Sequence, residues 1–78
     1  MHSKEFLINT IHKVKEFNIL ASSYKENIDV SEGRHVVNAA SILGIFSLDL
    51  LNPVTVTIHT DDLERADQFF KEVEEVLK

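Results

Sequence analysis

The chain is expected to fold as an α+β layer structure, a sheet with helices over one face. Three observations lead there. Apolar residues recur every third or fourth position in some stretches and every second position in others. Asn27-Ile28-Asp29-Val30 alternates as a strand does, Ser31-Glu32-Gly33 supplies turn residues and Arg34-His35-Val36-Val37 reads as a second strand, a hairpin pattern. After Asn52-Pro53 comes Val54-Thr55-Val56-Thr57-Ile58-His59, β-branched at its first five positions, and then another helical stripe. The implied order is β-α-β-β-α-β-α.

Each element has its own signal. Glu5-Phe6-Leu7-Ile8-Asn9 is short and strand-like. Thr10 is placed to cap a helix. From Ile11 onward, Val14, Phe17, Leu20 with Ala21, and Tyr24 follow the helical period, which predicts an amphipathic helix of about four turns. The hairpin follows, and Ser41 opens a second helix expected to run to Leu50. Pro53 ends that region, and Val54–His59 is the clearest strand. Thr60-Asp61-Asp62 starts the last helix, with Asp61 and Glu64 at capping-box spacing. Leu63, Ala66, Phe69 with Phe70, Val73, and Val76 with Leu77 form its predicted buried stripe.

The bulk numbers bound the function. The 78 residues (1–78) suit one domain. At this size only somewhat more than about 60% of the unfolded surface is buried, so the core is thin. The composition is 44% hydrophobic and 27% charged, a globular balance rather than a disordered one. There is no cysteine, hence no disulfide or thiolate metal site. No apolar run is long enough to span a bilayer, and Met1-His2-Ser3-Lys4 does not open a signal peptide, so a cytoplasmic protein is expected. The formal charge is −5 and the basic residues are scattered, which argues against nucleic acid as a partner. The acidity of Asp61 to Glu75 fits the solvated face of a helix. His2 is expected to be disordered. His35 and His59 sit on or beside strands without a second ligand at metal spacing, so no metal is expected, and no Gly-rich loop or nucleophile elbow implies a cofactor or a triad.

The most informative stretch is Val37 to Leu48. On a helix at about 100° per residue, Ile42, Leu43, Phe46 and Leu50 form one apolar cluster, while Ile45 and Leu48 form a second. Together they cover an arc of about 220°, against a stripe only somewhat wider than about 100° for an ordinary surface helix. A short helix in a small domain has no room to bury both. The first cluster, with Ile42, Leu43 and Phe46, is expected to face solvent or a partner, and the second the core.

Asn38-Ala39-Ala40-Ser41-Ile42-Leu43-Gly44-Ile45-Phe46-Ser47-Leu48 resembles the segment N-L-K-S-I-M-G-V-M-S-L of the phosphocarrier HPr family of the bacterial sugar phosphotransferase system. The serine, isoleucine, glycine and closing Ser-Leu stand at the same spacing, and the resemblance extends from Phe6 to Leu77. It implies an open-faced sandwich in which a four-stranded antiparallel sheet is covered by three helices. It also implies a cytoplasmic carrier that meets phosphotransferase-type proteins, docking through Ile42 and Phe46, with Leu43 as their neighbour in the partner-binding cluster. Ser41 stands where a dedicated kinase modifies the family's serine in many Gram-positive bacteria, and it would also serve as an N-cap.

The family's phosphoryl acceptor is the histidine of G-I-H-A-R-P. Here Thr10-Ile11-His12-Lys13-Val14 keeps Ile-His but lacks the glycine, arginine and proline. Two placements compete. Matching Ile-His to Ile-His makes His12 the acceptor, with Lys13 or Lys15 in place of the arginine, although Lys lacks the bidentate fork of Arg. A gapless match from Val14 to Leu48 is preferred; it puts Thr10 at the acceptor's position and His12 at the arginine's. The leading reading is an HPr-like phosphocarrier-family protein with a rebuilt or lost acceptor loop, His12 being either the acceptor or a solvent-facing histidine of the first helical turn. The other class of reading is a non-catalytic regulatory module on the same fold, docking a regulatory protein through the Ser41–Leu50 helix. The β-α-β-β-α-β order alone also permits a ferredoxin-like ligand-binding domain.

Overall fold

The computed structural model describes residues 1–78 as seven elements: β1 His2–Phe6, α1 Ile11–Ser22, β2 Ile28–Glu32, β3 His35–Asn38, α2 Ile42–Phe46, β4 Val54–Ile58 and α3 Leu63–Val76. The strands form one antiparallel sheet in the order β1-β4-β2-β3. β4 is therefore an inner strand, pairing Val56 with Lys4 on one side and with Val30 on the other. The expected architecture, four antiparallel strands and three helices, is what forms.

The period of each strand decides its two faces. Ile28, Val30, Val54, Val56 and Ile58 are buried and turn one way. Ser3, Thr57, Asp29 and Asn38 align across the sheet on the opposite, open face, where Ser3 Oγ and Thr57 Oγ1 lie 2.7 Å apart and His59 Nε2 lies 2.5 Å from Asp29 Oδ2. The apolar row meets Val14, Phe17 and Ala21 of α1 and Ala66, Phe69, Phe70 and Val73 of α3. All 16 buried residues are apolar, so no buried side-chain polar group needs a partner.

The first strand lies earlier than the apolar letters suggest, at His2–Phe6 rather than Glu5–Asn9, and His2 is ordered within it. Its inner face carries His2, Lys4 and Phe6, opposite Ile58, Val56 and Val54. Lys4 reaches over the edge to Glu74 of α3, and its ammonium sits 5.8 Å from the Phe6 ring centre. An edge strand with an inward lysine resists pairing with another chain, and it also hides the alternation that marks a strand. Ile8, expected in the strand, instead plugs the core with no exposed surface.

Other boundaries move for local reasons. α1 spans 12 residues, short of the expected four turns. Ser23 ends it, bonding the Leu20 carbonyl through both its amide and, at 2.6 Å, its hydroxyl. The hairpin turn is Gly33-Arg34, with Ser31 and Glu32 still in β2. Gly33 has φ 58°, and a positive φ at the first central position alone matches a type II′ turn, which glycine adopts freely. Asp62 rather than Asp61 caps α3, accepting the Arg65 amide at 3.2 Å, and Leu63 at the first turn is exposed rather than buried.

Candidate functional site

The first turn of α1 sets the chemistry at one end of the molecule. Thr10 has extended backbone angles, and its hydroxyl accepts the Lys13 amide at 3.1 Å, so Thr10 is the N-cap as the sequence predicts. Val14 N–H bonds the Thr10 carbonyl at 3.0 Å. The amides of Ile11 and His12 then donate to nothing in the protein. His12 is exposed as the second residue of the helix, Ile11 is exposed before it, and Lys15 is exposed one turn along. Lys13 Nζ turns back to Asn9 Oδ1 at 3.4 Å.

The first turn holds no acidic side chain. A helix N-terminus already carries roughly half a positive charge, and acidic residues normally gather there. Here a lysine and a histidine gather instead, beside two unsatisfied amides. The arrangement suits an anion, and a phosphate esterified or bound at this turn would relieve both the charge and the orphan donors. Thr10 thus occupies the boundary of strand loop and helix, and His12 lies two residues inside.

α2 packs between α1 and β3. Ser41 caps it, its hydroxyl accepting the Gly44 amide at 3.1 Å, and Ser41 is exposed. A Cβ on Gly44 would lie 3.0 Å from Ser41 Oγ and 3.2 Å from Val37 Cβ, so glycine lets the cap and the β3 side chain close on the helix. The expected ten-residue helix stops after Phe46. Ser47 Oγ bonds the Gly44 carbonyl at 2.5 Å, and Asp49 takes the Leu51 amide at 3.2 Å and the Asn52 side chain at 3.0 Å. These short polar side chains compete with helical bonding and turn the chain.

The two apolar clusters separate as expected in most positions. Ile45 is fully buried and Leu48 nearly so. Leu43 is 80% exposed and Phe46 41%. Ile42 and Leu50, expected with the outward cluster, are half-buried against the core. Leu51, not singled out in the sequence, is 85% exposed and extends the apolar surface beyond α2.

Asn18 was also not singled out. It donates through Nδ2 to the carbonyl of buried Ala39 at 3.0 Å, linking α1 to the turn before α2. An asparagine between Phe17 and Ile19 in a helix, where it is a poor helix former, was the available signal.

Beyond the far end of α1 a separate polar group ties α3 to the connection between α1 and β2. Arg65 grips Glu26 with Nε at 2.9 Å and Nη2 at 3.3 Å, and its guanidinium lies 4.2 Å from the centre of the Tyr24 ring. Tyr24 packs edge-on against Phe69 at 4.9 Å and bonds Glu72 through its hydroxyl. Burial, and then the bond to Glu72, push the Tyr24 phenol up to about 12. The Arg65 fork holds the Glu26 carboxyl below the usual carboxylate range.

No group of three or more His, Cys, Asp or Glu side chains is placed to hold a metal ion, and no helix is long and apolar enough to cross a membrane.

Comparison with known proteins adds independent support. The family model described as the PTS HPr component phosphorylation site matches residues 12–78. The crystal structure of HPr-C-His from Thermoanaerobacter tengcongensis superimposes with TM-score 0.78 at 26% identity, covering 97% of this chain and 90% of that one. A Mycoplasma histidine-containing phosphocarrier protein gives 0.74 at 16% identity, over 97% and 91% of the two chains. The phosphocarrier protein HPr of Bacillus anthracis gives 0.71 at 20% identity, over 96% and 94%. At those last two identities the likeness concerns the fold alone. No curated protein matches in sequence.

Proposed function

The chain belongs to the phosphocarrier HPr family of the phosphoenolpyruvate-dependent sugar phosphotransferase system, and we propose that it carries its phosphoryl group on His12. The observation behind this reading is the first turn of α1: an exposed imidazole, two undonated amides, Lys13 and no acidic side chain. A neutral ring nitrogen of His12 attacks the donor's phosphorus, the bond from phosphorus to the donor breaks, and the electron pair of that bond leaves with the donor. The Ile11 and His12 amides and the lysines then balance the phosphate charge. Lys supplies a point charge rather than the fork of an arginine, which suits a weaker hold on the phosphate.

Within the same reading the carrier is cytoplasmic and forms a single domain. It meets phosphotransferase-type proteins through Leu43 and Phe46, with Ile42 supporting them from below. Ser41 is the candidate regulatory acceptor. A phosphate on its exposed hydroxyl adds up to two negative charges beside Leu43 and opposes an apolar docking face.

Intact-mass spectrometry after incubation with phosphoenolpyruvate and the first enzyme of the phosphotransferase system tests the acceptor. One added phosphoryl group that is lost in mild acid is expected, and His12→Ala is expected to abolish it. Labelling that survives in His12→Ala would move the acceptor elsewhere. No labelling of the wild-type chain, with an HPr control labelled in parallel, would leave a docking module on a carrier's fold.

A further inference from the structure

Transfer in a carrier of this kind requires two surfaces to be placed against one another: the face that a partner grips and the atom that receives the phosphoryl group. In this chain they lie on different elements, α2 for Leu43 and Phe46 and α1 for His12. α1 packs against α2, and Phe17 of α1 shares one buried apolar cluster with Ile45 and Leu48. Apolar contact is non-directional and leaves the sliding of one helix along another weakly fixed.

One hydrogen bond fixes it. Asn18 Nδ2 donates to Ala39 O at 3.0 Å, and it is the sole side-chain hydrogen bond from α1 to residues 35–48. Ala39 is fully buried, and its carbonyl accepts from no other donor. Two residues later Ser41 caps α2. Asn18 stands seven residues beyond Ile11, two turns along the same stripe of α1, so the bond is aligned with the acceptor turn as well. A directional bond to a backbone atom holds a register that packing does not specify.

We propose that Asn18 is a positioning residue for phosphoryl transfer: through Ala39 it sets α2, and the docking side chains on it, at a fixed register against the turn that carries His12. The inference rests on the His12 reading. It assigns Asn18 no contact with the phosphoryl group.

The test uses Asn18→Leu, which keeps the volume and removes the donor, and Asn18→Ala, which removes the donor without adding bulk. Each is assayed as a substrate of the first enzyme with phosphoenolpyruvate, with far-UV circular dichroism recorded on the same samples. Leu43 and Phe46 remain on α2, so KM is expected to stay within about twofold. Misregister of the acceptor is expected to lower kcat by about tenfold, since a misplacement near 1 Å costs up to about a hundredfold. Native dichroism with unchanged kcat in either variant would overturn the inference and leave His12 untouched. A rise in KM at constant kcat would also overturn it, assigning Asn18 to docking alone. An unlabelled wild-type chain would overturn both readings together. If Asn18→Leu fails to fold, Asn18→Ala alone decides.

Discussion

Leu43 and Ile45, two residues apart on α2, are expected to respond in opposite ways. Ile45 has no exposed surface, whereas Leu43 is 80% exposed. Ile45→Ala deletes buried methyl groups and leaves a cavity, at a cost of about 3 kcal/mol. A domain of this length holds about 4–12 kcal/mol in total, so the loss is a large fraction of it. At about 4–8 °C per kcal/mol for this size, the thermal midpoint should fall by roughly 12–24 °C. Leu43→Asp loses little packing and should stay within about 0.5 kcal/mol of wild type. Its effect belongs to the partner: a charge at the centre of a docking face should weaken binding at least tenfold, about 1.4 kcal/mol. Phe46→Asp should weaken binding too, with a larger stability loss because only 41% of the residue is exposed. Urea unfolding followed by far-UV circular dichroism gives the first quantity, and calorimetric titration with the first enzyme of the phosphotransferase system gives the second. Equal destabilisation by Leu43→Asp and Ile45→Ala would refute the two-faced reading of α2. Unchanged affinity in Leu43→Asp would refute its role in docking.

The side-chain network and the cap carry three further outcomes. Tyr24 is the sole tyrosine, so ultraviolet difference titration reads it directly; its midpoint is expected near 12, and a midpoint near 10 would show both the burial of the phenol and its bond to Glu72 to be absent in solution. Because its folded pKa is raised, its stabilising contribution is complete below pH 10 and fades as pH climbs from 10 to about 12. Glu26 has the opposite sign: its folded pKa is depressed, so its contribution is present above 4.5 and fades as pH falls through the folded value. Urea midpoints against pH should therefore show a weaker acid dependence in Arg65→Leu, and an unchanged acid limb would discard the Arg65–Glu26 account. Ser41→Asp is expected to weaken partner binding while circular dichroism stays native, and wild-type affinity in that variant would remove Ser41 as a regulatory position.

What the residues disclosed depended on how local the cause was. α1 and α3 were legible because Val14, Phe17 and Ala21, and Ala66, Phe69, Phe70 and Val73, repeat along one face that each helix buries. β4 was legible because both its neighbours leave only the alternation of Val and Thr to satisfy. β1 was hidden because its partner lies some fifty residues away and its inner face carries Lys4, whose charge meets Glu74 on α3. The end of α2 was set by Ser47 and Asp49, whose turn-forming character was visible but overridden by the apolar run beside them. The exposed apolar side of α2, with Leu43 and Phe46, was read from excess: more apolar residues than one helix side can bury. The start of α1 was the least legible feature for the proposed acceptor, since Thr10 and His12 differ by two positions and the cap geometry puts Thr10 at the boundary and His12 inside the helix.

The strand order also dictates when the fold can appear. Only β2 and β3 are joined by a short turn; β4 must find β2 behind it and β1 at the very start, pairing residues 54–58 with residues 2–6. Closing such loops costs chain entropy before any contact rewards it, which slows folding relative to locally connected topologies. Until Val54–Ile58 exists, the chain offers one two-stranded hairpin, an unpaired first strand and two helices, and an isolated hairpin is marginal in water. The fold is therefore committed late, by the strand made last, and both the first turn of α1 and the helix α2, though synthesised earlier, wait for it.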